Sequence, residues 1–133
     1  MRSAQGNRGF TLIEMMVVMS IILILLAIAV PLYSQSMNHA RETNLRQNLE
    51  TLNKVISQYT LDKKKAPQSL GDLVSSRYIE FIPEDITGRS DTWAMEPEDP
   101  QKAWDPNQPG IGFVHSGSNE TSSEGTPYSS WMK

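Results

Sequence analysis

One acidic side chain, Glu14, lies at the edge of a segment that is otherwise apolar. From Met15 to Tyr33 the only residues that are not apolar are Ser20 and Pro31, and the segment contains no charged residue. A carboxylate at the edge of a membrane span is costly unless a cation pairs with it. Glu14 is therefore the first candidate for a functional residue, and its chemistry would be that of an ion pair.

The rest of the sequence offers little that could support catalysis. The chain has no cysteine, which excludes a disulfide framework and a thiolate nucleophile. Its two histidines, His39 and His115, belong to no recognisable catalytic triad or metal-ligand spacing. A net charge of −3 gives no indication of nucleic-acid binding. These observations favour a structural protein over an enzyme.

The apolar segment itself is long enough to cross a bilayer. Met15 to Tyr33 comprises 19 residues, which as a helix would span close to the ~30 Å hydrocarbon core of a membrane. Arg2 and Arg8 precede it, so the N-terminus is expected in the cytoplasm and the rest of the chain outside. Three interpretations follow: a removable secretory signal cut after Ala29, which would release a secreted binding module; a plain signal anchor; or a segment with its own processing site.

The residues around Glu14 favour the third interpretation. The stretch Arg8-Gly9-Phe10-Thr11-Leu12-Ile13-Glu14 resembles the processing site of the type IV pilin and type II secretion pseudopilin family. This resemblance implies that a prepilin peptidase cuts between Gly9 and Phe10, removes a leader of residues 1–9 and methylates the new amine of Phe10. It also implies that Glu14 meets such an amine, of its own or of a neighbouring subunit, during assembly.

Pro31 is the one helix breaker of the apolar segment. It has no amide hydrogen, and it clashes with the carbonyl of Ala27, so we expect a kink or a loosened turn there. The family resemblance implies that residues 10–36 form a transmembrane helix that later becomes the core of a filament. It further implies that the helix stretches around Pro31 when the filament assembles.

The apolar segment is predicted to continue into an amphipathic helix. Because Pro31 is the only strong breaker in Thr11–Tyr59, we expect one helix of roughly fifty residues, closed by the lysines from Lys63 onward. Its buried stripe is predicted to be Leu45, Leu49, Leu52, Val55, Ile56 and Tyr59. Opposite charges at a spacing of four predict ion pairs on its outer face, Arg46–Glu50 and Glu50–Lys54.

Residues 37–133 are predicted to form a small soluble head that includes the second half of this helix. Ser69 and Asp72 have the spacing of a capping box, and the core is expected to continue through Tyr78, Ile79, Phe81 and Ile82. Residues 92–95 and 111–115 predict strands, the second with Ile111, Phe113 and His115 in alternation, and residues 96–110 predict a proline-rich loop. The fold class is therefore α+β, with one long N-terminal helix packed on a small antiparallel-strand head with long loops.

A second stretch of the sequence resembles one particular group within this family. Residues 67–74, with Tyr78, Ile82-Pro83 and Thr87-Gly88, resemble the region after the long helix in major pseudopilins of type II secretion. This resemblance implies a possible calcium site in the C-terminal loop, because oxygen ligands suit calcium. Its candidate ligands are Ser116, Asn119, Glu120 and Glu124. No other cofactor is expected.

The resemblance implies a structural role in protein export. The chain would be a subunit of a helical pseudopilus in a type II secretion-like system, held in the inner membrane by a single span and later part of a periplasmic filament. Its partners would be further copies of itself, the prepilin peptidase, minor pseudopilins and an inner-membrane assembly platform with a cytoplasmic ATPase. A major pilin of a type IV pilus remains an alternative, although such pilins often close a loop with a disulfide and this chain has no cysteine.

Overall fold

The computed structural model describes residues 9–132. Apart from Gly9, the predicted leader, with Arg2 and Arg8, lies outside the described residues. The chain divides into two compact units between Met37 and Asn38. We call the described part of the first unit the anchor, residues 9–37, and that of the second the head, residues 38–132.

One helix, α1 (Leu12–Lys63), accounts for 52 residues and confirms the prediction of a single long helix. It continues through Pro31 without a break, although proline removes the hydrogen bond that the carbonyl of Ala27 would accept. Directly after its last residue, Lys64 has a φ of +56°. This left-handed conformation cannot extend a right-handed helix, so α1 ends there.

The anchor exposes apolar side chains on every face of α1. Its large hydrophobic residues, from Phe10 to Met37, are each at least 42% exposed. The most apolar 18-residue window of the helix has a mean hydropathy of 2.9, and none of that window is buried. Because apolar surface of this extent is unfavourable in water, the anchor requires a bilayer or other apolar chains around it.

The second half of α1 forms the centre of the head. The predicted stripe is buried as expected, with Val55 partly buried, and residues from the whole head pack on it. Full burial of one such side chain contributes about 1.5–3 kcal/mol, so this face of α1 dominates the stability of the head. The residues that pack on the stripe are Leu70, Leu73, Ile86, Trp93, Ile111, Val114, Tyr128 and Trp131.

The predicted capping residues lie at the start of a short second helix, α2 (Leu70–Ser75). The Asp72 carboxylate accepts hydrogen bonds from the backbone nitrogens of Ser69 at 3.1 Å and Gln68 at 2.8 Å. These donors precede the helix and would otherwise lack a partner, so the carboxylate fixes where α2 begins.

Three predictions for side chains of the head are wrong, the burial of Phe81 and the ion pairs Arg46–Glu50 and Glu50–Lys54, since neither pair is among the ion pairs of residues 9–132. Phe81 is 68% exposed, whereas its neighbour Ile82 packs on the core. The backbone bends at Phe81 and belongs to neither a helix nor a strand, so no regular periodicity predicts which of these side chains faces the core. The guanidinium of Arg46 pairs with Glu124 rather than with Glu50.

Two strands, β1 (Trp93–Pro97) and β2 (Ile111–Ser116), form an antiparallel sheet, which confirms the α+β class. The predicted loop starts later than expected, because Glu96 and Pro97 still belong to β1. The predicted alternation along β2 is also broken, since Val114 is fully buried and Phe113 only partly. Asn53 of α1 explains the burial of Val114. Its side-chain oxygen accepts a hydrogen bond from the Val114 backbone nitrogen at 2.8 Å, and its side-chain nitrogen donates one to the Val114 carbonyl at 3.1 Å.

Candidate functional site

The predicted cleavage site lies outside any helix. Gly9 and Phe10 precede α1, and the Phe10 side chain is 76% exposed. A Cβ at Gly9 would meet no atom of the described residues within 4 Å. The bond between these residues is therefore open to a peptidase, and exposed chain near a terminus is where cleavage is easiest. Nothing in the packing of residues 9–132 requires glycine at position 9, so such a requirement would belong to the enzyme.

Thr11 is the N-cap of α1. Its hydroxyl oxygen accepts a hydrogen bond from the backbone nitrogen of Glu14 at 3.1 Å, and its carbonyl accepts one from Met15 at 3.1 Å. The spacing from Thr11 to Glu14 is that of a capping box, a signal present in the sequence that our sequence-based prediction did not use. The cap fixes the first turn of the helix and, with it, the position from which the Glu14 side chain extends.

Glu14 is exposed in this first turn, at the end of the helix whose dipole favours an anion. Within residues 9–132 no cation pairs with it. The ion pairs there are Arg46–Glu124, Arg89–Asp91 and His115–Glu96. The pairing predicted for Glu14 therefore requires a cation other than the side chains of residues 9–132. The amine created by cleavage at Phe10, or that of another subunit, would meet this requirement.

A second acidic residue, Glu42, was missed by the sequence analysis. It belongs to α1 and is only 5% exposed. Its carboxylate accepts hydrogen bonds from the backbone nitrogen of Ser123 at 2.7 Å, from the hydroxyl of Ser123 at 2.5 Å and from the hydroxyl of Tyr128 at 2.9 Å. We call these three residues the polar clasp. Buried carboxylates need such donors, and this set ties the C-terminal segment, residues 118–132, to α1.

The clasp keeps Glu42 ionised. Burial by itself raises the pKa of this carboxyl. The hydrogen bonds from Ser123 and Tyr128 outweigh burial, so the pKa of Glu42 lies below its ordinary value. Burial, followed by the hydrogen bond to Glu42, raises the pKa of the Tyr128 hydroxyl, which therefore stays protonated and able to donate.

Arg46, one helical turn beyond Glu42, makes a second connection to the same segment. Its guanidinium pairs with Glu124 at 2.5 Å and lies 4.1 Å from the ring centroid of Trp131. The Trp131 ring in turn packs edge-on against Tyr128. A spacing of four residues places Glu42 and Arg46 on one face of α1, so the helix holds the C-terminal segment at two successive turns.

Three of the four candidate calcium ligands have protein partners of their own. The Asn119 side-chain oxygen accepts from Ser129 at 2.9 Å, the buried Ser116 hydroxyl accepts from the Ser118 backbone at 3.2 Å, and Glu124 pairs with Arg46. Residues 9–132 contain no group of three or more histidine, aspartate or glutamate side chains that could hold a metal ion. Calcium binding by this loop stays a prediction, and most of its ligands would have to exchange existing contacts for the ion.

Comparison with known proteins finds one family model and one related protein that match parts of the chain. A family model described as the prokaryotic N-terminal methylation motif matches residues 5–30. Competence protein ComGC of Halalkalibacterium halodurans is 33% identical over 72 residues, which cover 54% of this chain and 71% of that protein. No solved structure matches the chain. The matched motif includes the Gly9–Phe10 bond, Thr11 and Glu14.

The clasp predicts how the head responds to acid. Because the pKa of Glu42 is lowered on folding, its contribution to the free energy of unfolding is complete above the ordinary carboxyl pKa and is lost as the pH falls through the lowered value. Glu42→Gln should lower the free energy of unfolding of the head by about 1–3 kcal/mol at neutral pH. The amide nitrogen of glutamine is a donor, and it would face the donor groups of Ser123 and Tyr128 without an acceptor between them.

The measurement is urea unfolding of wild type and Glu42→Gln across the acidic range. The two curves of stability against pH should converge at the lowest pH, where the wild-type carboxyl is also neutral. Glu50→Gln, an exposed substitution on the same helix, is the matched control and should leave the curve of the wild type unchanged. Parallel curves for wild type and Glu42→Gln would contradict the account of the clasp.

Calcium binding has its own test. If Glu120 and Glu124 hold calcium, a chelator should lower the melting temperature of the head, because a ligand that binds only the folded state stabilises it. The double substitution Glu120→Gln with Glu124→Gln should abolish that response to the chelator. An equal melting temperature with calcium and with chelator would show that the loop is held by protein contacts alone.

Proposed function

The chain belongs to the type IV pilin-like prepilins, and on this basis we propose that it is a major pseudopilin, the structural subunit of a helical pseudopilus in a type II secretion-like machine. Membership of this family makes it a membrane-anchored structural protein and not an enzyme. Subunits of this kind are processed by a prepilin peptidase and assemble with one another. The proposal concerns the machine in which this assembly takes place.

The anchor is the observation that carries the proposal. Its apolar side chains are exposed on every face of α1, so it needs an apolar environment all round. A bilayer provides one before assembly, and the anchors of neighbouring subunits in a filament provide another. Transfer between two apolar environments costs little hydrophobic free energy, since lipid tails are as apolar as leucine side chains. A subunit could therefore be extracted from the inner membrane by a platform that a cytoplasmic ATPase drives, and minor pseudopilins would share the filament.

We propose roles for three residues of the anchor. Phe10 would supply the methylated amine, Glu14 would pair with the amine of an adjacent subunit, and Pro31 would mark the turn that loosens in the filament. The helix lacks one internal hydrogen bond at Pro31, so extension there breaks fewer bonds than elsewhere. The exposed position of Glu14 and the absence of a partner for it within residues 9–132 support the second role.

A subunit of a competence apparatus is the second candidate, and the similarity to competence protein ComGC favours it. Deletion of the gene separates the two. Loss of exported proteins from the culture supernatant with normal transformation would support the secretion pseudopilus. Loss of transformation with normal export would support the competence apparatus. A major pilin of a type IV pilus predicts loss of surface fibres instead.

Processing is the first prediction for the proposed function. Removal of nine residues from a chain of 133 leaves 124, and intact mass of the membrane-extracted protein should correspond to a chain that begins at N-methylated Phe10. Gly9→Leu should accumulate as the full-length precursor. Residues 9–132 leave room for a side chain at this position, so the block would arise in the peptidase.

Two observations would contradict this account of processing. A mature chain that begins at Val30 would indicate cleavage by signal peptidase after Ala29 and a secreted protein. An unmodified full-length chain in wild-type cells would indicate a plain signal anchor. Gln5→Leu, at a position of the leader four residues before the cut, is the matched control and should be processed normally.

The second prediction concerns Glu14. Glu14→Leu should insert in the membrane at least as well as wild type, since an unpaired charge at mid-bilayer costs ~2.5–3.5 kcal/mol and less near the edge. It should be cut after Gly9 and remain in the membrane as a processed monomer that does not assemble. Glu14→Gln should fail in the same way, though less completely, because it keeps the shape and loses the charge.

The yield of sheared filaments, compared with the processed pool in the membrane, is the measurement. Thr11→Val is an informative companion, because it removes the cap hydroxyl and keeps the carboxylate. If Glu14 only stabilises the start of the helix, a role worth about 0.3–1 kcal/mol, all three variants should give normal filaments. Normal yield from Glu14→Leu would contradict the assembly role.

A further inference from the structure

The described part of the head exposes two aromatic side chains, one beside acidic residues and the other in contact with a lysine. Phe81 is 68% exposed and Trp104 is 53% exposed. Single exposed apolar residues are common, but aromatic residues are also the usual anchors of protein interfaces. The surroundings and the positions of these two residues indicate what they contact.

Phe81 lies at one end of the head. It lines a cleft with Asn44 and Asn48 of α1, and the Asn48 amide donates to the carbonyl of Glu84 at 3.0 Å. Residues 80–85 contain three acidic side chains and no basic one. Arg41 of α1 lines a neighbouring cleft with Glu84, and its guanidinium donates to the carbonyl of Ile86 at 2.9 Å. We call Phe81 and the exposed Glu84 the anionic patch.

Trp104 lies at the other end. The Lys64 ammonium is 4.3 Å from the centroid of its ring, a cation–π contact that places the tryptophan beside the end of α1. Lys63, Lys64 and Lys65 are consecutive and exposed. We call Lys64, Lys65 and Trp104 the cationic patch.

The two patches are well separated along α1. Asn44 and Asn48 lie 20 and 16 positions before Lys64, which corresponds to about 24–30 Å of helix. The patches differ in sign, so neither is complementary to itself, and a two-fold symmetric dimer cannot use either alone. Surfaces that are complementary to each other can pair reciprocally in a closed two-fold dimer or join copies head to tail, and only the second arrangement propagates the helical polymer of the proposed function.

We propose that the anionic patch of one head contacts the cationic patch of a neighbouring head in the filament. The partner is a second copy of this chain, so the inference rests on the proposed function. Opposite charge would select the register of the contact, and the two aromatic rings would supply its apolar area. Contacts between anchors hold the subunits together in the filament core, and this second contact fixes how the heads are arranged around it.

Site-specific cross-linking of filaments tests the contact. The chain has no cysteine, so a Glu84→Cys, Lys65→Cys double variant carries the only two thiols. A bismaleimide added to sheared filaments should give a ladder of covalent oligomers. Either single variant should give no ladder, since one thiol per subunit cannot join more than two chains. Glu50→Cys with Lys65→Cys, which places the first thiol midway along the helix, is the matched control and should stay monomeric.

A charge exchange provides the second measurement. Glu84→Lys and Lys65→Glu should each lower filament yield several-fold, and the two together should restore it, while the melting temperature of each protein stays that of wild type. Normal filaments without a ladder, together with no effect of the charge variants, would overturn the contact and leave the proposed function standing. Wild-type cells that form no filament would overturn both.

Discussion

The packing of the head on one face of α1 is the interaction on which the rest of the structure depends. Leu45, Leu49 and Leu52 are almost completely inaccessible to solvent, and every other element of the head contributes a side chain to the same cluster. A two-stranded sheet and a six-residue helix could not bury enough apolar surface by themselves. The helix that provides the membrane anchor thus also provides the core of the head. Its sequence is apolar on every face in the anchor and apolar on one face in the head.

Polar contacts decide how the loops close over this core. Two carboxylates are buried in the head, and hydrogen-bond donors satisfy both. The Glu42 carboxylate accepts hydrogen bonds from Ser123 and Tyr128. The Asp85 carboxylate accepts hydrogen bonds from the backbone nitrogen of Ile86 at 2.7 Å and from the hydroxyl of Thr92 at 3.0 Å. An unsatisfied buried carboxylate would be strongly destabilising, so these contacts fix the path of segments that have little regular structure.

Local patterns in the sequence predict the elements of this fold well. Apolar spacing identified the long helix and its buried stripe, and the spacing of Ser69 and Asp72 identified the start of α2. The partners of individual side chains could not be predicted in the same way. Arg46 pairs with a residue 78 positions away rather than with Glu50 on its own helix, because the three-dimensional path of the C-terminal segment decides which carboxylate is near.

The same distinction applies to the candidate site. The Gly9–Phe10 bond and Glu14 are part of a contiguous motif, so the sequence was sufficient to propose their roles. Glu42 is a lone acidic residue at a helical position that reads as solvent-exposed, and its donors come from the end of the chain. The exposure of Phe81 likewise depended on the direction of an irregular backbone. The cap at Thr11 differs from these cases, because the spacing of Thr11 and Glu14 in the sequence was sufficient to predict it, and the prediction was not made.

The long sequence separation of the clasp has a consequence for the order of folding. Glu42 contacts residues 81 and 86 positions later in the chain, and Trp131 belongs to the core cluster. The core therefore cannot be completed until nearly the whole chain has been synthesised, whereas the anchor is made first and contains only local contacts. Contacts of such separation close slowly, because a long loop of disordered chain must be ordered before they form. The final packing of the head therefore follows the synthesis of Ser123, Tyr128 and Trp131.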